Sequence, residues 1–322
     1  MTEKPSLSVG LVTWNSAASL PECLESLKEQ HFPDLEVIVV DNASQDNSIA
    51  LIKAYFPNAP VIQNPENLGF CHAHNQAIGA SQGKYYLALN PDVIMRPDFL
   101  SSMVDALEEH PECGSASAKL WQSAPPSGAK ILDTTGLFIN RHRRQFLRGH
   151  GEQDHGQYDE PGEVFGVDGA AALYRRRMLE NVKIHGQYFD EQFFAHKEDV
   201  DLAWRAKLFG WGCWYVPQAN AIHPRIFRPG RRAPIATEVR IHAVKNRYLL
   251  LIKNESSASL RRDLLRIIAY DLQILVYILL FERSSLRAIR LLRQQIPEAR
   301  QWREEIFSRV KLNPDEIKAW FI

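Results

Sequence analysis

The sequence predicts an α/β fold, in which a mostly parallel sheet is flanked by helices and followed by a helical C-terminal extension. Four short apolar runs, at residues 7–12, 35–40, 61–63 and 85–89, alternate with stretches typical of helices or turns. Such β-α-β alternation is typical of parallel strands between helices, with ligands bound at the carboxyl ends of the strands. Beyond about Thr237 the pattern is almost wholly helical up to Ile322.

Local signals place several helices. Ser19 precedes Leu20 and Pro21, with Glu22 three residues on, which predicts a capping box at a helix start. Asp46 lies just ahead of a second helical run. Further helices are expected at 175–181 and 199–209, and the Pro- and Gly-containing stretch 121–166 is expected to form long loops with an irregular hairpin.

The charge is unevenly distributed along the 322 residues. Lys and Arg number 18 against 28 Asp and Glu in residues 1–222, and 20 against 10 in residues 223–322, although the formal net charge is zero. This asymmetry indicates an anionic partner for the C-terminal part: phospholipid headgroups, a phosphorylated acceptor or nucleic acid. A basic surface without a partner is the alternative.

Composition and the N-terminal sequence indicate a folded protein and its cellular compartment. A hydrophobic content of 45% is ample for a core, and the four cysteines stand far apart without zinc-site spacing, so reduced, packed thiols are expected. No apolar stretch of signal-peptide length precedes the first strand, so we expect the chain to stay in the cytoplasm.

Residues 264–281 are very apolar but contain Arg266, Asp271 and Gln273. The uninterrupted apolar run, 272–281, is too short to span a bilayer. One interpretation is an amphipathic helix in the plane of a membrane surface, because arginines flank it: Arg261, Arg262, Arg283, Arg287, Arg290 and Arg293. The other is a buried helix of a C-terminal bundle.

Polar residues follow the first two strands. Thr13, Trp14 and Asn15 end the first, and Asp41 ends the second. A nucleotide at this edge of the sheet would find a carboxylate for the imide N–H of a pyrimidine in Asp41 and a stacking face in Trp14. An aspartate at a strand end is as often a cap or turn residue.

The fourth strand leads into Asn90, Pro91 and Asp92. Asp92 is a candidate oxygen ligand for a hard divalent cation, which would neutralise charge on a diphosphate leaving group. A plain Pro-Asp turn is the alternative.

Three carboxylates, Glu198, Asp199 and Asp201, open a predicted helix. A close carboxylate pair can raise the pKa of one member, which suits a general base for an acceptor hydroxyl. The helix dipole alone also favours acidic residues there. His223, after an apolar strand-like stretch, is a candidate metal or phosphate contact, although a lone histidine is more often structural.

These segments together resemble the family 2 glycosyltransferases, which have the GT-A fold. The likeness covers residues 8 to about 253 and rests on four motifs in order, at 12–15, 39–44, 66–78 and 89–92. The third is similar to the N-x-G-F-x-x-x-x-N signature of the bacterial rhamnosyltransferase-like branch, and the closing residues 317–321 resemble that branch's C-terminal tail.

The resemblance implies roles at the donor side. Asp41 contacts the donor base, and the third motif lines the donor site through Asn67, Gly69 and Asn75. Asn90 and Asp92 occupy the position of the family's D-x-D metal motif, with Asn90 replacing its first aspartate. Asp92 and His223 are then expected to hold Mg²⁺ or Mn²⁺.

Acceptor-side roles follow in the same way. Asp168 and Gly169 belong to a segment similar to the one before the family's acceptor site, and Glu198 is expected to orient the acceptor. Asp199 matches the family's catalytic base, and Arg205 is expected to brace its helix.

We therefore expect an inverting glycosyltransferase with a catalytic domain at residues 1–236 and a helical region at 237–322. The branch resemblance favours dTDP-L-rhamnose as donor, with UDP- and GDP-hexoses open, and a glycan or polyprenyl-diphosphate-linked acceptor. No nucleic acid partner is expected, whereas an anionic membrane surface is, at the inner face of the plasma membrane. The rival interpretations are a nucleotide-sugar-binding protein without catalysis and a nucleotidyltransferase, although no glycine-rich, lysine-containing loop follows the first strand.

Overall fold

The computed structural model describes residues 6–122, 128–224 and 237–322. Within them the first half of the chain forms β1 (Leu7–Thr13), α1 (Leu20–Lys28), β2 (Leu35–Asp41), α2 (Ser48–Tyr55), β3 (Val61–Gln63), α3 (Gly69–Ala80), β4 (Tyr85–Leu89), β5 (Ile94–Met95), α4 (Phe99–Glu109) and β6 (Cys113–Trp121). The second half forms β7 (Leu132–Thr134), β8 (Leu137–Ile139), β9 (Gln145–Leu147), β10 (Gly162–Glu163), β11 (Ala171–Arg175), α5 (Arg176–Val182), α6 (Glu198–Leu208), β12 (Gly212–Ile222), α7 (Thr237–Asn254), α8 (Ser257–Phe281), α9 (Arg287–Ser308) and α10 (Pro314–Lys318). Short 3-10 helices lie at Glu191–Phe193 and Arg283–Leu286.

One mixed sheet organises the molecule, in the order β10-β12-β6-β11-β4-β1-β2-β3. Strands β4, β1, β2 and β3 are parallel, and β12 is parallel to β6. Strand β11 runs antiparallel between β4 and β6 and joins the two parallel parts. The predicted α/β architecture with a mostly parallel sheet is thus confirmed.

Alternation along the strands builds a core on both faces of the sheet. In β2, Val37 and Val39 pack on the side of α1 and α4, whereas Ile38 and Val40 face α3, α5 and α6. Period-two alternation of apolar residues in a doubly covered strand explains why β2 is a continuous apolar run. All four cysteines lie in the described residues, where each is buried and none forms a disulfide.

The predicted caps differ in outcome. The Ser19 side chain makes no capping bond to α1; its hydroxyl donates to the Ser16 carbonyl oxygen at 3.2 Å instead. Asp46 does serve α2, because its Oδ1 accepts from the Ser48 backbone N–H at 3.0 Å. The Ser48 hydroxyl also donates to Asp46 Oδ1, at 2.5 Å, and this bond is the main cause of a lowered pKa at Asp46.

The expected hairpin in the loop-rich stretch is formed by β8 and β9, which pair Leu137 with Leu147. Residues 123–127 of that stretch lie outside the described residues. The C-terminal helices pack back on the sheet domain: Phe321 pairs with Ile139 and its ring centroid lies 5.1 Å from that of Trp204 on α6. The domain boundary expected after residue 236 falls at the end of segment 225–236, which is also outside the described residues.

Candidate active site

The strand register brings the predicted site residues to one edge of the sheet. Thr13 pairs with Asp41 across β1 and β2, and Leu11 pairs with Leu89 across β1 and β4. The Asn90 backbone N–H, just past the end of β4, donates to the Ala170 carbonyl oxygen at 2.8 Å. The segment that holds Asp168 and Gly169 therefore lies against the segment that holds Asp92.

One corner of this edge combines a buried carboxylate with an exposed indole. Asp41 Oδ2 accepts from the Ser44 backbone N–H at 3.0 Å. Its Oδ1 is buried, and so is the Thr13 hydroxyl; neither has a hydrogen-bond partner among the described residues. Trp14 is 56% exposed beside them. Because a buried acceptor without a partner is costly, this corner is suited to a ligand that donates an N–H.

Asn15, Asn67 and Gly69 shape the loops of this corner. Asn15 has a left-handed backbone, with φ of 49°, and its side-chain oxygen accepts from the Gln45 N–H at 2.7 Å. The Asn67 side-chain oxygen accepts from the Gly69 N–H at 2.9 Å. Gly69 has φ of +86°, and a Cβ there would lie 2.6 Å from the Phe194 carbonyl oxygen, so only glycine fits. Their predicted donor contacts stay predictions.

Asn75, a predicted donor contact, is hydrogen-bonded within the protein. Its amide donates to the Phe189 carbonyl oxygen at 2.8 Å and to Glu191 Oε1 at 2.9 Å. Its oxygen accepts from the Tyr188 and Phe189 backbone N–H groups at 3.1 and 2.9 Å. The whole hydrogen-bonding capacity of the amide is used inside the protein. The geometry therefore supports a structural role, the attachment of the segment around residue 189 to α3, rather than a contact with the donor.

Asp92 and His223 meet at the same edge, because β12 ends beside both β5 and β6. His223 Nε2 lies 3.5 Å from Asp92 Oδ1, and His223 Nδ1 lies 2.8 Å from Oδ2 of Asp133. Asp133, on β7, is fully buried. A carboxylate beside Nδ1 favours the tautomer with its proton on Nδ1, in which Nε2 is the nitrogen that can bind a cation.

The pair fits a divalent cation. Two ligands bound to one ion at about 2.0–2.2 Å are roughly 3–3.5 Å apart, which matches the Asp92–His223 separation. Among the described residues, no group of three or more His, Cys, Asp and Glu side chains forms a closed metal site. Mg²⁺ in particular is commonly held by one or two protein groups together with substrate phosphates and water. An open, two-ligand site suits a cation that arrives with a diphosphate.

The Glu198–Asp199 pair starts α6 on the acceptor side of this edge. Asp199 is partly exposed; its Oδ2 accepts from the Gly169 N–H at 3.3 Å and its Oδ1 from the Val200 N–H at 2.7 Å. Glu198 is buried, and its Oε2 has no hydrogen-bond partner within the described parts of the chain. Burial, followed by the charge of Asp199, raises the pKa of Glu198 well above its usual range. The raised pKa favours the neutral form of Glu198, and Asp199 is the member of the pair that is partly accessible to solvent.

Asp168 and Gly169 form the turn that faces this pair. Asp168 is buried, and its Oδ1 accepts from the Ala170 N–H at 3.1 Å. A Cβ at Gly169 would lie 3.5 Å from Phe70 and 3.7 Å from Glu198 Oε1, so the backbone closely approaches the pair. Their contact with an acceptor stays a prediction.

Three buried groups that fix the site were missed from sequence, because each acts across a long separation. Asn246 on α7 donates to the carbonyl oxygens of Phe193, Ala195 and His196 at 3.0, 2.9 and 2.6 Å. These residues precede the Glu198–Asp199 pair in a loop that includes three non-glycine residues with positive φ, Phe194, His196 and Lys197. Such backbone is retained only where the surroundings hold it. Asp133 is the second such group.

The third group is Lys253, which lies under α6. Its Nζ donates to Asp190 Oδ2 at 2.6 Å and to Asp201 Oδ2 at 3.0 Å. Arg205 braces the helix as expected. Its Nε donates to Asp201 at 3.0 Å, and its other nitrogens donate to the Val182 and Tyr188 carbonyl oxygens; all three partner residues are buried. A charged residue in a helical pattern, such as Lys253, gives no sequence signal that it is buried.

The comparison with known families decides the identity. The description "Glycosyl transferase family 2" applies to residues 8–183, more than half of the chain. The chain belongs to glycosyl transferase family 2. The enzyme is thus a glycosyltransferase, and the resemblance seen in its motifs is confirmed.

Two relatives match this glycosyltransferase over different shares of its length. A protein of Mycobacterium tuberculosis (strain CDC 1551 / Oshkosh), named N-acetylglucosaminyl-diphospho-decaprenol L-rhamnosyltransferase, is 27% identical over 326 residues, which cover 91% of this chain and 98% of the relative. The putative glycosyltransferase EpsH of Bacillus subtilis is 24% identical, over 66% of this chain and 59% of its own length.

Solved structures show that the glycosyltransferase has the GT-A fold. Staphylococcus aureus TarS residues 1–349 in complex with UDP-GlcNAc superposes with a TM-score of 0.59 at 18% identity, over 94% of this chain and 89% of TarS. The mannosyltransferase PcManGT from Pyrobaculum calidifontis, in complex with GDP-Man and Mn²⁺, gives a TM-score of 0.53 at 17% identity, over 99% and 79% of the two chains. The predicted fold is therefore confirmed.

Proposed function

We propose that this enzyme transfers L-rhamnose from dTDP-L-rhamnose to a polyprenyl-diphosphate-linked sugar, with inversion at the anomeric carbon, in the synthesis of a bacterial cell-surface polysaccharide. The relative from M. tuberculosis, which carries a rhamnosyltransferase name with a lipid-diphosphate acceptor, supports this choice because it matches 91% of the chain. The motif N-x-G-F-x-x-x-x-N, from Asn67 to Asn75, supports it independently of that name.

The donor's nucleotide is assigned to the corner formed by Thr13, Trp14 and Asp41. The Asp41 Oδ1 acceptor, which has no partner among the described residues, suits the N3–H of a thymine or uracil base, and the exposed Trp14 indole suits stacking. A guanine would also present a donor, so this corner by itself does not choose among nucleotides.

Asp92 and His223 are assigned to a divalent cation, Mg²⁺ or Mn²⁺. A bound cation would neutralise negative charge on the departing diphosphate. Solved glycosyltransferase structures of the same fold, PcManGT with GDP-Man and GalNAc-T7 with UDP and GalNAc, contain Mn²⁺. The 3.5 Å separation of the two side chains and the orientation of His223 by Asp133 support the assignment.

Asp199 is assigned as the general base. It takes the proton of the acceptor hydroxyl as that oxygen forms a bond to the anomeric carbon, and the bond from that carbon to the diphosphate oxygen breaks with its electron pair. Burial and the charge of Asp199 raise the pKa of the neighbouring Glu198, which favours the neutral form of Glu198 beside the base. Because attack and departure occur on opposite faces, one displacement inverts the anomeric centre without a covalent intermediate.

A single relationship supports this function most strongly. The Asn90 N–H bonds the Ala170 carbonyl oxygen at 2.8 Å, and the next residue back, Gly169, bonds Asp199 through its N–H at 3.3 Å. This short relay ties the loop of Asp92 to the start of α6. The cation ligands and the base thus belong to one continuous edge of the sheet.

The test is a panel of donors, dTDP-L-rhamnose, UDP-GlcNAc, UDP-glucose and GDP-mannose, assayed by nucleoside diphosphate release with a short polyprenyl-diphosphate-linked N-acetylglucosamine. We expect release from dTDP-L-rhamnose above the others, loss of release with chelator, and recovery with Mg²⁺ or Mn²⁺. Preferred use of a UDP- or GDP-hexose would refute the rhamnosyl assignment. In a separate assay, release of pyrophosphate from a nucleoside triphosphate and a sugar 1-phosphate would indicate a nucleotidyltransferase.

A further inference from the structure

Helix α8 presents a broad apolar stripe to solvent. Leu265 is 82% exposed and Phe281 is 74% exposed, and of the most apolar 18-residue stretch only 11% is buried. The exposed residues recur at helical spacing along one face: Leu264, Leu265, Ile268, Leu272, Leu275, Val276, Leu279 and Leu280. The alternative of a helix buried in a C-terminal bundle is therefore wrong. Exposed stripes of this size mark interaction surfaces.

The opposite face of α8 is tied to the body of the protein at several points along its length. Asp263 is buried and pairs with Arg143 at 2.9 Å, and Asp271 pairs with Arg247 at 2.7 Å. Ile267 and Ile278 on the same face are buried. The helix axis consequently lies along the surface of the domain rather than projecting from it.

This attachment bears on how α8 would meet a lipid bilayer. Its 25 residues, with a mean hydropathy of 2.0 over 18 of them, are long and apolar enough to cross a membrane. Crossing would require Asp263 and Asp271 to leave their arginine partners and enter hydrocarbon, at a cost of several kcal/mol each (about 3 or more). An orientation in the plane of the interface keeps both ion pairs and buries the apolar stripe.

The charge around α8 favours an anionic membrane over a second copy of the chain as the partner of its apolar stripe. Residues 237–322 contain 16 Lys and Arg against 10 Asp and Glu. Exposed arginines lie near both ends of α8 and on α9: Arg261, Arg266, Arg283, Arg290 and Arg293. A twofold pair of α8 helices would bring these groups together, and like charges repel, whereas anionic headgroups would attract all of them.

The stripe is also connected to the acceptor side of the site. The hairpin of β8 and β9 contacts α8 through Arg143, which binds Asp263, and through His142, whose ring lies 6.0 Å from that of Tyr270. The same hairpin reaches α6, because Gln145 accepts from Lys197 Nζ at 2.7 Å. Lys197 directly precedes the Glu198–Asp199 pair. A lipid surface along α8 would therefore lie next to the structure that frames the acceptor end of the cleft.

We propose that α8 is an interfacial membrane-docking helix, whose apolar stripe enters the headgroup boundary of an anionic bilayer while the flanking arginines bind phosphate headgroups. This inference extends the proposed function, since a polyprenyl-linked acceptor resides in a bilayer, but the docking itself requires neither donor nor acceptor.

The test is cosedimentation of the full chain with vesicles of phosphatidylcholine alone or of equal parts phosphatidylcholine and phosphatidylglycerol, without substrates. We expect sedimentation with the anionic vesicles only, and release by high salt. The triple variant Leu265→Gln, Leu272→Gln, Leu280→Gln should bind about tenfold more weakly or worse, because three exposed leucines no longer enter the interface. Ile322→Gln, which changes an exposed apolar residue outside α8, is the control and should bind like the parent protein.

Three outcomes would overturn membrane docking. They are no sedimentation of the parent protein with anionic vesicles, equal binding by the triple variant, and a dimer in sedimentation velocity that the triple variant breaks while vesicle binding is absent. Retention in vesicles after alkaline carbonate extraction would instead indicate a crossing helix and would also overturn the in-plane orientation. Transfer to a water-soluble acceptor analogue should be unchanged in the triple variant. Failure of docking is thereby distinguished from failure of the proposed chemistry.

Discussion

His223 Nδ1 lies 2.8 Å from Oδ2 of Asp133, a fully buried carboxylate that also lies 3.4 Å, by Oδ1, from Nδ1 of His150. This contact orients the His223 ring so that Nε2 faces Asp92. Histidine ligands commonly donate their second ring N–H to a carboxylate, which fixes the tautomer and makes the ligand more basic. Asp133 is thus a positioning residue for the cation site that we propose.

Replacement of Asp133 by Asn should weaken the binding of Mn²⁺ by about 10–100-fold, because the neutral amide no longer enforces the Nδ1–H tautomer of His223. Titration of Mn²⁺ in the presence of nucleoside diphosphate, followed by electron paramagnetic resonance, measures this directly. Asp105→Asn removes an equal charge from an exposed position on α4 and should leave the affinity unchanged. Equal affinities of the Asp133 variant and the parent protein would contradict the positioning role.

Replacement of Asp199 by Asn should lower the turnover number by about 10²–10⁴-fold, because a general base is lost. Donor affinity and the free energy of unfolding should change little, since Asp199 is partly exposed at the start of α6. Steady-state kinetics, with donor binding measured by calorimetry, separates the two effects. Full turnover in this variant would refute the base assignment, and weakened donor binding with normal turnover would assign Asp199 to the donor instead.

Replacement of Asp201 by Asn should act on stability. Asp201 is buried, its Oδ2 accepts from Arg205 and Lys253 at 3.0 Å each, and its Oδ1 accepts from Asn254 at 2.8 Å. Loss of the charge leaves two buried cations undercompensated, which should lower the free energy of unfolding by about 3–5 kcal/mol. Urea denaturation measures the change, and Asp199→Asn, two residues away, provides the matched control.

The loss in the free energy of unfolding caused by Asp201→Asn should also depend on pH. Burial alone would raise the pKa of Asp201, but the charges of Lys253 and Arg205 outweigh burial and the pKa is lowered. A lowered pKa in the folded state stabilises the protein above the unfolded value of about 3.9, and that stability is lost as the pH falls towards the folded value. The difference between parent and variant should therefore shrink below about pH 4. A constant difference across this range would show that the charge of Asp201 is not its source.

Replacement of Glu198 by Gln should stabilise the protein at neutral pH. Burial and the neighbouring Asp199 raise the pKa of Glu198 well above its ordinary value. Above the unfolded pKa of about 4.3, the unfolded chain ionises this group while the folded protein keeps it neutral, so unfolding is favoured. Glutamine removes this penalty. Urea denaturation at pH 7.5 and at pH 4 should show a gain in the free energy of unfolding at the higher pH (about 7.5) only. A gain of equal size at both would contradict a raised pKa.

The architecture and the order of the motifs follow from local sequence. Apolar runs with period-two burial, as in Val37 to Val40, mark the strands, and the residues that end them stand at the carboxyl edge of a parallel sheet. Local sequence is therefore enough to place Asp41, Asn90 and Asp92 at one edge of the sheet. The same local reasoning failed at Ser19, where a competing turn bond to Ser16 takes the hydroxyl.

The local sequence pattern could not predict whether α8 is buried or exposed. Its apolar stripe fits a bundle core and a lipid surface equally well, and only the packing of neighbouring helices decides between them. Asn75 is similar: its motif indicates a site residue, but the backbone of residues 188 and 189, which uses its amide, approaches from more than a hundred residues away.

The sequence by itself determined the α/β class, the family and the strand-end carboxylates, because each depends on neighbours within a few residues. Only the tertiary structure decided what holds those carboxylates in place. Asp133 reaches His223 across 90 residues of chain, Asn246 reaches Phe193 across 53, and Lys253 reaches Asp190 across 63. A buried hydrogen bond or ion pair of this kind is defined by where the folded chain meets itself, and no short-range periodicity encodes that meeting.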